Sequence, residues 1–274
     1  MIDFTPVPAT LEAVEADIPD NHLFHFRLPQ ALPIAPGQFV ELSLPGIGAF
    51  PVSAVTWPTE ELLKLCIRRV GRVTDALYRL SSGAQVGIRG PFGRGFPVDQ
   101  FLGKDVLLVA GGLGIVPLRT LLHWLLAHRE KIGELTVLYG SYDAARLLFR
   151  RELEALATAG TIRLAFSVDA PGADPRGAGT VPCRFGVVGD LLADLDFVPS
   201  TTVAAVCGPP VLYSHVLEKL ASAGVPPDRI YATLERRMKC GVGQCCHCVI
   251  AGVYICCQGP VFSLEELRAM PGAI

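Results

Sequence analysis

The chain has 274 residues, of which 50% are hydrophobic and 18% charged, and its 24 basic and 26 acidic side chains leave a formal charge of −2. So apolar a composition excludes a disordered segment, and the balanced charge gives no support for a surface that binds nucleic acid or anionic membrane. At roughly 100 to 200 residues per domain the length predicts two domains, and 28 glycines with 22 prolines predict many tight turns rather than a helical bundle.

Residues Met1 to Asp20 are acidic and carry proline, without the basic start and apolar run of a secretory signal, so the chain is expected to stay in the cytoplasm. Up to about Leu102 the sequence reads as short strands between turns. Gln38 to Leu44 alternates polar and apolar residues and Leu63 to Arg68 does so more loosely, as strands with one face in a core require. Pro33, Pro36, Pro45, Pro51 and Pro58 punctuate them, which fits the corners of a small antiparallel β-barrel. Within this part, Gly71-Arg72-Val73-Thr74 precedes a short helix and Gly90-Pro91-Phe92-Gly93-Arg94-Gly95-Phe96 closes the segment; alone, either reads as an ordinary turn.

Strand and helix then alternate. Asp105 to Ala110 is an apolar strand followed by Gly111-Gly112-Leu113-Gly114 and a helix through Leu126. The apolar stretch from Val106 to Leu126 is broken by Gly111, Gly112, Gly114, Pro117, Arg119 and His123, so a strand and helix explain it better than a membrane span. Strands follow at Leu135 to Tyr139, Ile162 to Val168 and Thr202 to Cys207, with helices at Ala144 to Thr158 and Pro210 to Ala223. This order predicts an α/β domain with a parallel sheet and helices on both faces. Ala170 to Pro182 reads as an exposed Pro/Gly loop, and a last strand spans Ile230 to Leu234. A short terminal helix is opened by a capping box of Ser263 and Glu266. The domain limits are placed at 1–102, 103–229 and 230–274.

Three motifs carry chemistry. Of nine cysteines, six (Cys240, Cys245, Cys246, Cys248, Cys256 and Cys257) lie within eighteen residues, and an odd total without a signal peptide favours a metal site over a disulfide framework. Cys240, Cys245, Cys248 and Cys256 are separated by four, two and seven residues; the first two gaps follow the plant-type order of ligands to a 2Fe-2S cluster, and the last is shorter. Gly241 and Gly243 let that loop curl so that amides point at sulfur. Structural zinc is the rival, although only Cys245/Cys248 forms a CxxC knuckle, and unligated thiols are the third reading. Cys246 and Cys257 read as spare thiols beside ligands. Gly111-Gly112-Leu113-Gly114-Ile115-Val116-Pro117 lies between strand and helix, where a diphosphate can approach the backbone and the helix N-terminus favours its charge; the other reading is a structural turn, since this is not GxGxxG. Cys207-Gly208-Pro209-Pro210 ends a later strand of the same sheet, either as a second ligand-binding edge or as a buried cysteine followed by a helix-starting proline.

In order, Pro51-Val52-Ser53, Gly71 to Thr74, Gly90 to Phe96, Gly111 to Pro117, Cys207 to Pro210 and the terminal cysteines resemble the ferredoxin-NADP reductase superfamily over nearly the whole chain. Leu234 to Cys245, with Gly259-Pro260-Val261-Phe262, is similar to electron-transfer subunits with a C-terminal 2Fe-2S domain: the gamma subunit of cytoplasmic NiFe hydrogenases (sulfhydrogenases) and the corresponding subunits of anaerobic sulfite reductase and of type B dihydroorotate dehydrogenase. The resemblance implies FAD on the barrel, NAD(P)H on the sheet and a small C-terminal 2Fe-2S lobe beyond the flavin. It implies that Pro51, Val52 and Ser53 meet the flavin, with Ser53 near its ring, and that Gly71, Arg72, Val73, Thr74 and Gly90 belong to the FAD site. Gly111, Gly112, Gly114 and Pro117 would hold the pyridine nucleotide diphosphate, and Cys207, with Gly208 and Pro209, would lie near the nicotinamide. Cys207 and Ser53 are then the catalytic candidates, and Cys240, Cys245, Cys248 and Cys256 the cluster ligands.

Two positions depart from the family pattern. Phe50 stands where an arginine usually precedes Pro-x-Ser, leaving Arg68 or Arg72 to supply that contact, and Cys246 stands where glycine is usual. The seven-residue last gap is similar to the hydrogenase and sulfite reductase subunits. Because nicotinamide moves hydride, a 2Fe-2S cluster moves single electrons and a flavin does both, the implied function is that of an electron-transfer subunit, linking NAD(P)H to a partner catalytic subunit, foremost a NiFe hydrogenase. A sulfite reductase or dihydroorotate dehydrogenase partner, a free-standing ferredoxin-type reductase and a non-catalytic redox sensor are the alternatives. Arg236, Arg237 and Lys239 either steer an acidic partner or form a solvated face. Ser141-Tyr142-Asp143, with Arg146 and Arg150 further on, leaves NAD or NADP open.

Overall fold

The computed structural model describes residues 5–18, 20–56, 62–170, 172 and 179–274; Pro58, and residues 171 and 173–178 of the expected loop, lie outside them. The chain forms two compact units: Met1–Phe96 with Leu234–Pro260, and Pro97–Thr233 with Val261–Ile274.

In the first unit, strands β1 (Val7–Ile18), β2 (Asn21–Arg27), β3 (Phe39–Leu44), β4 (Gly48–Ser53), β5 (Leu62–Arg68) and β6 (Gln85–Phe92) form an antiparallel sheet in the order β4-β3-β6-β1-β2-β5. A bridge between Ala54 and Leu65 joins its two ends into a barrel. The core holds Leu11, Phe24, Phe26, Val40, Leu42, Leu65, Ile67 and Ile88, which recur at alternate positions because strand side chains alternate between faces. Each such side chain contributes about 1.5–3 kcal/mol by leaving water. Helix α1 (Arg72–Leu77) packs Leu77 onto that core. On β3, Val40, Leu42 and Leu44 face the barrel interior while Phe39 and Glu41, also buried, lie on the alternate face.

The second unit is an α/β layer. Strands β7 (Asp105–Gly111), β8 (Leu135–Ser141), β9 (Arg163–Val168), β10 (Cys183–Phe185), β11 (Thr202–Cys207) and β12 (Ile230–Thr233) are parallel, in the order β10-β9-β8-β7-β11-β12. Helices α2 (Ile115–Ala127), α3 (Arg150–Thr158) and α4 (Pro210–Ser222) connect them. The expected helix from Ala144 is split. Asp143 caps a single 3₁₀ turn at Ala144–Arg146, and α3 starts only after Phe149, whose φ of 56° breaks the run. Leu147, Leu148 and Phe149 are all buried, and three successive residues of one helix cannot face one core.

The cysteine-rich segment follows, with a two-stranded hairpin β13 (Val249–Ile250) and β14 (Val253–Tyr254) and the turn of helix α5 (Ile255–Gln258). The chain then adds β15 (Val261–Ser263) antiparallel to β12 and ends in α6 (Leu264–Arg268). Ser263 Oγ accepts from the Glu266 N–H and Glu266 accepts from the Ser263 N–H, the capping box expected there. Among the described residues no helix is long and apolar enough to cross a membrane.

Candidate functional site

In the α/β unit the two glycine-bearing loops meet. β7 and β11 are neighbours, with Ala110 beside Cys207, and the strand order reverses at β7: β8 lies on one side and β11 on the other. Such a reversal opens a crevice at the carboxyl ends of the strands. A Cβ at Gly114 would overlap the Cys207 carbonyl, and one at Gly111 would lie 2.7 Å from Leu212 and 3.0 Å from Pro209. Only bare backbone allows this approach. Gly112 has a φ of 53°, and the three-residue turn Gly112–Gly114 leads into α2, whose first-turn amides have no carbonyl within the helix. Pro117, half-buried in that first turn, lacks an N–H where none is needed.

Cys207 is 2% exposed, and its Sγ accepts from Thr233 Oγ1 at 2.8 Å. Tyr213 Oη accepts from the Gly208 N–H (3.2 Å) and donates to the Thr233 carbonyl (2.6 Å), tying the loop after β11 to the end of β12. Gly208 is buried and Pro209 exposed. Sequence reading missed Thr233 and Tyr213; the one local signal was a tyrosine in the first turn of the helix that follows Cys207-Gly208-Pro209. At the end of β8, Asp143 lies 3.4 Å from Arg146, whose guanidinium sits 5.3 Å over Tyr142. Arg150 is buried and paired with Glu154.

In the barrel unit, β4 is poorly covered: Gly48, Ala49 and Pro51 are exposed and Phe50, Val52 and Ser53 half-buried. Beside it, Val73 lies 3.0 Å from where a Cβ of Gly48 would be. Thr74 Oγ1 accepts from the Val70 and Gly71 N–H groups at 3.0 Å and donates to the Gly71 carbonyl, so the turn into α1 is locked. The first-turn amides of α1, from Arg72 to Thr74, have no acceptor within the helix. Exposed β4 and this turn lie side by side. Phe50 packs on the barrel core, and Arg72 donates to the Ile47 carbonyl at 2.7 Å. Gly90 lies within β6 against Val40.

The cysteine segment belongs to this same unit. Cys240 Sγ accepts from the Gln244 and Cys245 N–H groups at 3.4 Å, and Cys256 Sγ accepts from the Gly243 N–H at 3.3 Å. Gly241 and Gly243 both have φ of 73°, the left-handed curl that aims those amides. The Cys245 thiol lies beside that of Cys240, and the Cys256 thiol beside those of Cys248 and Cys257. The His247 N–H, foremost, holds the Cys245 thiol below the ordinary thiol range, whereas burial, followed by the contact with Cys248, pushes Cys256 up. Among the described residues no three His, Cys, Asp or Glu side chains converge as ligands of a single ion. The amide N–H groups that donate to Cys240 and Cys256 suit the thiolate ligands of an iron-sulfur cluster, whose sulfurs accept such bonds. Cys246 (φ 57°) and Cys257 are exposed; the first lies 3.4 Å from Tyr254 Oη and the second 3.7 Å from Cys256 Sγ.

Residues 235–268 match the iron-sulfur cluster binding domain of dihydroorotate dehydrogenase B, and residues 108–218 match the oxidoreductase NAD-binding domain. The chain is 41% identical to the sulfhydrogenase 2 subunit gamma of Pyrococcus furiosus over 250 residues, covering 87% of this chain and 86% of that one. It is 35% identical to a probable dihydroorotate dehydrogenase B (NAD(+)) electron transfer subunit of Methanothermobacter thermautotrophicus, over 85% of this chain and 80% of that one. Among solved structures, that of the NADH-dependent reduced ferredoxin-NADP oxidoreductase superposes with a TM-score of 0.75 at 24% identity, over 94% of this chain and 88% of that one, which shows the shared fold. This chain belongs to the family of sulfhydrogenase gamma subunits and dihydroorotate dehydrogenase electron transfer subunits.

Proposed function

We propose that the chain is the FAD- and 2Fe-2S-containing electron-transfer subunit of a hetero-oligomeric oxidoreductase, passing electrons between NAD(P)H and a partner, foremost the catalytic subunit of a cytoplasmic NiFe hydrogenase. The observation that carries this reading is the set Cys240, Cys245, Cys248 and Cys256, with backbone amides donating to Cys240 and Cys256, in the unit that also holds exposed β4 and the turn into α1. A flavin, when bound, interconverts hydride and single-electron chemistry.

The chain's residues divide that work. Gly111, Gly112 and Gly114 offer backbone to a dinucleotide diphosphate, and the N-terminus of α2 offsets its charge. Cys207, oriented by Thr233, with Gly208 and Pro209 beyond it, would bound the nicotinamide position. Pro51, Val52 and Ser53 would flank the isoalloxazine, while the first-turn amides of Arg72, Val73 and Thr74 would hold the flavin diphosphate, the Gly71 N–H being taken by Thr74 Oγ1. Phe50 carries no charge, so the flavin phosphates rest on amides and on Arg72 rather than on the missing arginine.

An anaerobic visible spectrum of the purified chain, with acid extraction of flavin and iron, tests the assignment before and after NADH or NADPH is added. One flavin and about two irons per chain, bleached by one of the nucleotides, are expected. Zinc in place of iron, or a chain without flavin, overturns it. Affinity capture from the native host then identifies the partner; co-purification of hydrogenase subunits is expected, and a sulfite reductase or dihydroorotate dehydrogenase subunit would redirect the assignment.

A further inference from the structure

The cluster loop is gripped by the end of β6 at both of its own ends. At the far end, the Arg94 N–H donates to the Gly259 carbonyl, and a Cβ on Gly93 would lie 2.6 Å from that oxygen. At the near end stands a buried ion pair. Glu41 on β3 lies directly opposite Arg89 on β6, and Arg89 Nε and Nη2 donate to Glu41 Oε1 at 2.9 and 2.6 Å. Their side chains are only 10% and 11% exposed. Arg89 Nη2 also reaches the carbonyl of Cys240 at 3.4 Å, and its guanidinium lies 5.6 Å over the Phe92 ring. That ring in turn packs on Gly241, where a Cβ would be 3.0 Å from it.

Stability alone does not account for the pair, because desolvating two charges cancels most of their attraction and an apolar pair of similar volume would serve as well. What an apolar pair cannot supply is a fixed charge and a directional donor beside the first cysteine of the cluster loop. The geometry points to Glu41 and Arg89 as positioning residues that set the reduction potential and the retention of the iron-sulfur cluster held by Cys240. This rests on the cluster reading above. A cation near the cluster favours its more negative, reduced form and an anion opposes it, with little screening at a buried site. Hydrogen bonds around ligands also govern how firmly metal is held.

The test is an EPR-monitored redox titration of the full-length chain at pH 8, above the ordinary carboxylate range, with flavin content and circular dichroism as controls of folding. Arg89→Gln leaves the carboxylate and is expected to lower the cluster potential; Glu41→Gln leaves the guanidinium and is expected to raise it. The double variant returns close to wild type. Arg89→Lys keeps the charge and the potential but loses the forked contact, and is expected to release iron to a chelator about tenfold faster. Single variants that shift the potential the same way, or not at all, overturn the inference. Should Arg89→Gln not fold, a raised potential in Glu41→Gln with an unchanged one in Arg89→Lys supports it, and an unmoved Glu41→Gln overturns it. Wild-type chain without iron overturns the cluster reading and this inference together; loaded wild type with unaltered variants overturns this inference alone.

Discussion

Tyr213 illustrates how a single side chain joins distant backbone at the carboxyl edge of the sheet. Its hydroxyl serves the Gly208 N–H and the Thr233 carbonyl, both buried, so Tyr213→Phe strands a donor and an acceptor at once. Losing such partners costs about 1–3 kcal/mol. We expect Tyr213→Phe to lower the thermal midpoint by several degrees and to raise the KM for the nicotinamide nucleotide more than it lowers kcat, as steady-state assays with an artificial acceptor would show. Cys246 makes the opposite case. It holds a φ of 57° that glycine tolerates and other residues adopt at a cost of about 1–2 kcal/mol. Cys246→Gly should therefore retain about two irons per chain and raise the thermal midpoint, whereas loss of iron would make Cys246 a ligand.

At the scale of elements, α2 and α3 are clamped by Glu152, which accepts from Arg119 at 2.8 Å and lies 2.7 Å from His123 Nε2. Burial alone would raise the Glu152 pKa, but the hydrogen bond with His123 and the charge and hydrogen bond of Arg119 outweigh it, and the net shift is downward. A carboxylate with a depressed folded-state pKa stabilises the fold above the ordinary glutamate range and loses that contribution as pH falls through the folded value. Denaturant midpoints at pH 7 and below pH 4 should converge more in Glu152→Gln than in wild type, because the variant has nothing to titrate at that position. Element boundaries show the same dependence on packing. The alternation of strand and helix was legible because apolar runs and glycine turns are local signals. The break at Phe149 was not, since it follows from three successive side chains entering the core.

For the whole molecule, the path of the chain matters as much as its elements. It builds the barrel, then the sheet, returns at Leu234–Pro260 to the barrel unit and re-enters the sheet at β15 before α6. The cluster segment has only two paired two-residue strands and one helical turn of regular structure, so its order rests on packing against β6, to which the proposed metal ligation would add. Removing iron with a chelator under anaerobic reducing conditions should lower the thermal midpoint, and reconstitution with iron and sulfide should restore it, because metal that binds only the folded form stabilises it by mass action. A midpoint indifferent to iron would mean that the loop folds without metal.

Sequence by itself determined the features that are short-range. Cysteine spacing, the glycines after β7, the Cys207-Gly208-Pro209-Pro210 run and the Ser263/Glu266 cap are written in neighbouring residues, and hydrophobic periodicity marked both domain types. Tertiary structure alone decided the rest. It determined that backbone amides donate to Cys240 and Cys256, that the cluster segment shares a unit with the barrel, that Thr233 meets Cys207 and that Glu41 faces Arg89. The last two join residues 26 and 48 positions apart in the chain. Contacts of that separation are set by strand order and register, which no local pattern encodes.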